Sequence, residues 1–375
     1  MSGIYIHVPF CKQKCIYCNF HSGASLKTKD EYVKMLLTEI ELTSGYINDS
    51  VETIYFGGGT PSLLSKNDFE FIFKKLEKHY QLSNCSEITI EANPEDLDLE
   101  TILSFSELPF NRVSIGCQAF DNVSLDYLKR AHSVIDNQKA IDFIQEYWTK
   151  NISVDIIYGI PGLTDKELLS SLTYLSDKQI PHISCYALTV EPSTSLYSSI
   201  KQKKNEVPDE LQTINQMGVV IDKLQELGYI HYEISNFCLP GYESKHNSNY
   251  WKQIPYLGLG PSAHSFNGNS RQWNISNNIK YINALKNNEI LFEKENLSEL
   301  DKYNEYVMTG LRTKNGIDIL YIERIFGQGY ANAFINSCEK FLKEEEINKI
   351  QNKFVLTKKG IVISDYIISE LFLID

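Results

Sequence analysis

The sequence predicts an α/β protein organised around a parallel sheet, and two observations carry that expectation. Six short apolar or alternating runs have the length and side-chain branching of strands: IYIHV (4–8), TIYF (53–56), EITIE (87–91), RVSIG (112–116), SVDIIYG (153–159) and HISCYALTV (182–190). Helix-like stretches separate them, so the order is strand then helix, six times over. Such alternation implies parallel strands joined by right-handed crossovers, with functional residues gathered at the carboxyl ends of the strands. Periodicity alone does not choose between an open sheet and a partial barrel.

Taken in order, the helical segments are clearest in DEYVKMLLTEIEL (30–42), where Val33, Leu36, Leu37 and Ile40 share a face, and in DFEFIFKKLEKHY (68–80), where Phe69, Ile72, Phe73 and Leu76 do so. Beyond about residue 200 the pattern changes. KQKKNEVPDE reads as a connector, and PDELQTINQMGVVIDKLQELGY as a long helix ending near Gly228. Residues 229–296 mix short apolar runs with Gly, Pro, Asn and aromatics, as an elaborated loop and strand segment does. From 297 onward, helical stretches lead into NKFVLTKKGIVISDYIISELF, which has the look of the strand and final helix of a small winged-helix domain. Three units are therefore expected, over 1–200, 201–296 and 297–375, with no internal repeat.

With 42% hydrophobic and 22% charged residues, the 375-residue chain has the composition of an ordinary globular protein. Its 48 acidic against 36 basic residues leave a net charge of −12, which opposes nucleic acid and anionic membrane surfaces. A DNA-binding role for the C-terminal unit is disfavoured on the same ground, and an interaction or lid role is expected. Three cysteines are clustered (Cys11, Cys15, Cys18) and five are scattered (Cys85, Cys117, Cys185, Cys238, Cys338), a pattern of free thiols in a reducing compartment. The first residues lack the basic start and long apolar run of a leader, and no stretch has the roughly 20 apolar residues that cross a bilayer. A cytoplasmic location is expected.

Cys11, Cys15 and Cys18 form CKQKCIYC, a C-x3-C-x2-C cluster directly after the first strand. Three thiolates on one short loop can hold three irons of a 4Fe–4S cube and leave the fourth open. A zinc site, which ordinarily wants a fourth Cys or His, and three unrelated thiols are the alternatives. The second strand runs into Gly57-Gly58-Gly59-Thr60-Pro61, where backbone groups are open to a ligand. Later strand ends carry Glu91, Gln118 and Asp155, and Arg130 lies in LKRAH; each is also readable as a surface or helix-end residue.

The cysteine spacing, the aromatic Phe20 and the GGxTP run together resemble the radical SAM superfamily. In that superfamily S-adenosylmethionine (SAM) chelates the open iron and is cleaved to a radical by an electron from the cluster. The resemblance implies a partial (β/α)6 barrel with a small helical, winged-helix-like C-terminal domain. It is strongest to the coproporphyrinogen oxidase (HemN-like) branch, and includes YALTVEP (186–192). It implies that Tyr5, Gly58, Thr60, Glu91, Gln118, Arg130, Asp155, Ile157 and Ala187 line a SAM pocket.

Two subfamilies share that plan. The oxidase continues its cluster motif as Cys-Gly-Cys and carries a longer N-terminal extension, whereas here Asn19-Phe20 follow Cys18 and three residues precede Ile4. The HemW haem-chaperone family is marked by HNxxYW, matched here by His246-Asn247-Ser248-Asn249-Tyr250-Trp251. A neutral imidazole can ligate haem iron, and two large aromatics offer flat apolar surface to a macrocycle; a hydrogen-bonded His beside a buried Trp is the plain alternative. The resemblance implies haem binding at His246, Asn247, Tyr250 and Trp251, with His246 as axial ligand, and delivery to a haem-acceptor protein such as a respiratory component. Cluster and SAM would then serve structure, homodimerisation or control of transfer. A radical SAM enzyme such as the oxygen-independent oxidase is the second reading. His7 and His264 can each be read as lining the pocket, but hydrogen-bonded structural histidines are the expectation, and His132 is expected to lie on a barrel helix.

Overall fold

The computed structural model describes every residue except Asp375. All six strands expected in the first half form: β1 (Ser2–Val8), β2 (Val51–Gly58), β3 (Glu87–Ala92), β4 (Arg112–Gln118), β5 (Ile152–Tyr158) and β6 (His182–Ala187). Each runs parallel to its predecessor. The run expected to continue to 190 ends as a strand at Ala187, the last ladder bond being that of the Leu188 N–H to the Tyr158 carbonyl of β5 at 2.9 Å.

The region after residue 228 contributes more strand than its sequence suggests. β7 (Ile230–Glu233), β8 (Asn236–Cys238), β9 (Tyr256–Leu259), β10 (His264–Phe266), β11 (Ser270–Asn274) and β12 (Phe292–Asn296) all join the same sheet. Its order is β12-β11-β10-β9-β1-β2-β3-β4-β5-β6-β8-β7. β9 is parallel to β1, while β10 to β12 and β7 to β8 are antiparallel additions at the two ends. The ladder is open, with β12 and β7 as its edges, and is mixed rather than purely parallel.

Period-two alternation divides the residues of the central strands between two faces. Ile4, Ile6, Ile54, Phe56, Ile90, Val113, Ile115, Val154 and Ile183 are fully buried in one continuous core with the surrounding helices. That core takes in the apolar faces expected for the first two helices, Lys29–Leu42 and Lys66–His79. The second of these starts at a Ser65–Asp68 capping box, which satisfies two of the N–H groups left open at a helix start. The opposite face carries Tyr5, Tyr55, Glu91, Ser114, Asp155 and His182, which are linked by hydrogen bonds to one another or to neighbouring strands and helices.

A separate core gathers Tyr303, Val307, Ile322, Phe334, Phe341, Phe354 and Ile367. It joins several helices to a small sheet of β13 (Ile317–Asp318), β14 (Ile347–Ile350) and β15 (Lys353–Leu356), ordered β13-β15-β14. The single final helix expected here is broken into Lys358–Val362 and Ser364–Glu370 by a non-helical Ile363 at φ −115, ψ 28. His132 does not lie on a helix. It occupies the bend between helices Asn122–Tyr127 and Val134–Tyr147, where its two ring nitrogens meet Glu95 (3.0 Å) and the Cys117 carbonyl (3.1 Å). No helix among the described residues is long and apolar enough to cross a membrane.

Candidate functional site

Cys11, Cys15 and Cys18 occupy the irregular loop that follows β1, and all three are half-buried and free of disulfides. They line one cavity of ≈ 390 Å³ at the carboxyl ends of the parallel strands. Burial pushes the Cys18 thiol up, and the neighbouring Cys15 and Cys11 raise it further. Arg130 donates from Nη1 to the Cys15 sulfur at 2.8 Å, placing a fixed cation against that thiol. Among the described residues no three Cys, His or carboxylate groups converge closely enough for a single metal ion. A cube makes a different demand, since each thiolate holds a separate iron. The donor set fits a cluster held by three cysteines.

The remaining wall is built by strand ends. Gly58, Thr60, Glu91, Gln118, Arg130, Asp155, Ile157 and Ala187 all line this cavity. Tyr5 does not: it lines a second cavity, and its hydroxyl meets His7 Nδ1 at 3.1 Å. Gly58 has φ +104, and a Cβ there would lie 2.5 Å from His7, so glycine is required for the loop to close over β1. Its N–H donates to Glu91 at 3.2 Å, and Tyr55 donates to the same carboxylate at 2.8 Å. Burial nevertheless raises Glu91 to about 7 and Asp155 to about 6, so the cavity floor holds two readily protonated carboxyls. Gln118 sits at φ 65, a sparsely populated conformation for a side-chain-bearing residue.

Asn93 is a wall residue missed in the sequence. It donates to Thr60 Oγ1 at 3.1 Å and accepts from Arg130 Nη2 at 2.7 Å, tying the glycine loop to the arginine that holds Cys15. Its position two residues after Glu91, at the end of the same strand, was the available signal.

The HNxxYW residues form the short helix Lys245–Trp251, capped by Ser244. Glu87, at the start of β3, accepts from the N–H groups of Lys245 (2.9 Å) and His246 (2.8 Å), setting a carboxylate at the positive end of the helix. His246 is buried, with Nδ1 2.8 Å from Thr53 Oγ1 and Nε2 2.9 Å from the Tyr250 hydroxyl. Its ring stacks on Tyr55 at 5.1 Å, in space left open by Gly3, where a Cβ would lie 3.4 Å from Cε1. Burial, reinforced by Arg112, lowers its pKa to about 3. The imidazole is therefore neutral, but both nitrogens are engaged.

Tyr250 and Trp251 line the second cavity, of ≈ 500 Å³, whereas His246 and Asn247 do not. Tyr5, Phe20, Tyr256 and Phe266 supply more aromatic wall, and His264, Arg271 and Met308 complete it from β10, β11 and the helix Glu299–Leu311. Phe20 belongs to both cavities, and 67% of it is exposed. His7, expected to be structural, is bonded through both nitrogens, to Tyr5 and to the His21 carbonyl at 2.7 Å. His264, expected to be the same, is exposed on the cavity wall. Of the five scattered cysteines, Cys117, Cys185, Cys238 and Cys338 are buried and Cys85 is half-buried.

These features define a radical SAM protein. The radical SAM superfamily model matches residues 5–175. The solved structure of the Escherichia coli coproporphyrinogen III oxidase HemN, described as a radical SAM enzyme, superposes with a TM-score of 0.84 over 99% of this chain and 90% of its own. At 20% identity that likeness is one of fold. Curated relatives named heme chaperone HemW match over almost their whole length. The protein from Buchnera aphidicola subsp. Schizaphis graminum is 36% identical over 96% of this chain and 95% of its own. That from Lactococcus lactis is 30% identical over 100% and 98%, and that from Bacillus subtilis 30% identical over 96% of each. The chain belongs to the HemW family.

Proposed function

We propose that this chain is a haem chaperone, which binds haem and passes it to an acceptor protein. The observation that carries the reading is the aromatic cavity on which Tyr250 and Trp251 of the HNxxYW segment open. Its volume of ≈ 500 Å³ lies within the usual range of about 300–1,000 Å³ for sites that enclose a small ligand. Its walls offer flat apolar surface to a macrocycle, and the Arg271 guanidinium beside them is paired with Glu305. In this reading His246 and Asn247 belong to the haem segment by holding its helix and orienting Tyr250.

The first 200 residues, in the same proposal, hold a 4Fe–4S cluster through Cys11, Cys15 and Cys18, with SAM beside it in the neighbouring cavity. When bound, cluster and SAM supply one-electron chemistry. The chain's own groups do the positioning. Arg130 steadies Cys15; Gly58 and Thr60 present backbone and hydroxyl to the amino-acid part of SAM; Glu91, Gln118, Asp155, Ile157 and Ala187 enclose the rest, while Tyr5 lines the aromatic cavity instead. The acceptor is proposed to be a haem-dependent respiratory component and the carrier a homodimer, both from the family resemblance. Eight free cysteines support a reducing, cytoplasmic setting.

The test is a parallel measurement on the anaerobically reconstituted chain. Haemin titration should saturate at one haem per chain, and the loaded protein should transfer haem to a haem-depleted respiratory protein faster than haem dissociates unaided. With SAM, reductant and coproporphyrinogen it should give no protoporphyrinogen above background. Sustained decarboxylation over many turnovers, or no saturable haem uptake, would overturn the proposal.

A further inference from the structure

The haem-segment histidine is poorly placed to coordinate iron. Ligation by His246 would break its bond to Thr53 or to Tyr250, and its ring does not line the aromatic cavity. Three other histidines do line it, and they differ in what their nitrogens already touch. His7 is engaged at both. His21 is tied through Nε2 to Asn278 at 2.7 Å. His264 has no hydrogen-bond partner among the described residues; burial and Arg271 lower its pKa, and Glu295 opposes them. The net effect is a lowered pKa, which keeps its ring neutral with a lone pair available.

One face of the His264 ring has a neighbour. It lies on β10 directly opposite Trp273 of β11, and the two rings stack at 5.9 Å with 26° between their planes. The strand itself is pinned where Ser265 Oγ accepts from the Gly258 N–H at 2.8 Å. An imidazole stacked on an indole, carried on a sheet and opening into a cavity walled by Tyr250, Trp251, Phe20 and Met308, offers what an axial ligand first needs: ring nitrogens without a protein partner, beside apolar surface for a porphyrin.

We propose that His264 is the axial ligand to haem iron in this cavity, with His246 acting as a positioning residue that holds Tyr250 in the wall. This rests on the haem-chaperone reading and refines its binding site. The test uses the full chain carrying its cluster, titrated with haemin and followed by absorption and electron paramagnetic resonance spectra. His264→Ala should shift the Soret band and weaken binding about tenfold or more, and millimolar imidazole should restore the wild-type spectrum. His264→Met should give the spectrum of thioether ligation in place of imidazole. His21→Ala and His246→Ala should keep the wild-type Soret position. Wild-type affinity and spectrum in His264→Ala, or transfer of the Soret shift to either of the other variants, would overturn the assignment. Failure of the wild-type chain to bind haem at all would remove the chaperone reading itself, an outcome visible before any variant is compared.

Discussion

The hydroxyl of Tyr250 lies 2.9 Å from Nε2 of His246, so the first and fifth residues of the HNxxYW segment are joined across one helical turn. Thr53 holds the other ring nitrogen, and the ring fills buried space against Tyr55. His246→Ala should therefore destabilise the chain by about 2–4 kcal/mol, through a new cavity and two orphaned polar groups. Urea unfolding monitored by circular dichroism measures this. A loss well under 1 kcal/mol would mean that the histidine is not structural.

Glu87 receives two N–H groups of the same helix, at 2.9 and 2.8 Å. Glu87→Ala should loosen residues 245–251, with a cost of about 1–3 kcal/mol and faster amide exchange confined to that helix. Glu87→Gln, which keeps an acceptor oxygen, should lie between the two. Equal exchange in all three proteins would rule out Glu87 as the anchor.

For the cluster, replacing Cys11, Cys15 or Cys18 by Ala should abolish assembly of about four irons and four sulfides per chain, because each thiolate holds its own iron. Cys85→Ala and Cys338→Ala should assemble it normally, since both lie outside that cavity. Iron and sulfide analysis after anaerobic reconstitution decides the point, and loss of the cluster in either outlying variant would count against the assignment.

Glu39 is fully buried on the helix Lys29–Leu42 and accepts from the Gly260 N–H (2.7 Å), Asn274 (2.5 Å) and the Tyr281 hydroxyl (2.6 Å). Burial still raises its pKa from 4.5 to about 7. The folded chain thus binds this proton more tightly than the unfolded chain does. Stability contributed by the protonated group is present in full below about 4.5 and is lost as pH rises through about 7. The stability difference between wild type and Glu39→Gln should accordingly shift against wild type across that window. A difference independent of pH would show that Glu39 does not titrate there.

Much of the parallel part of the sheet was legible because its strands are buried on both faces and read as short β-branched runs, as in TIYF and SVDII. β9 to β12 were not, because they are three to five residues long and carry Gly, Ser, Asn and charge; FEKEN in β12 is exposed throughout. Residues of the cysteine cavity stood out through the clustered cysteines and the resemblance to radical SAM motifs, since Glu91, Gln118 and Asp155 taken singly read equally well as surface residues. The aromatic cavity did not, since Tyr5, Phe20, Trp251, Arg271 and Met308 come together only through the sheet order and the C-terminal helix. His264 read as a hydrogen-bonded structural histidine for the same reason: the lack of a partner for its ring is a property of the assembled wall.

Phe20 stands in the walls of both cavities. With 67% of its surface exposed, its ring meets little packing resistance to reorientation. A guest that moves the ring from one side changes the space offered on the other, and the resulting coupling is equal in both directions. With the guests proposed for the two cavities, haem affinity would depend on whether SAM is bound, and SAM affinity on whether haem is bound.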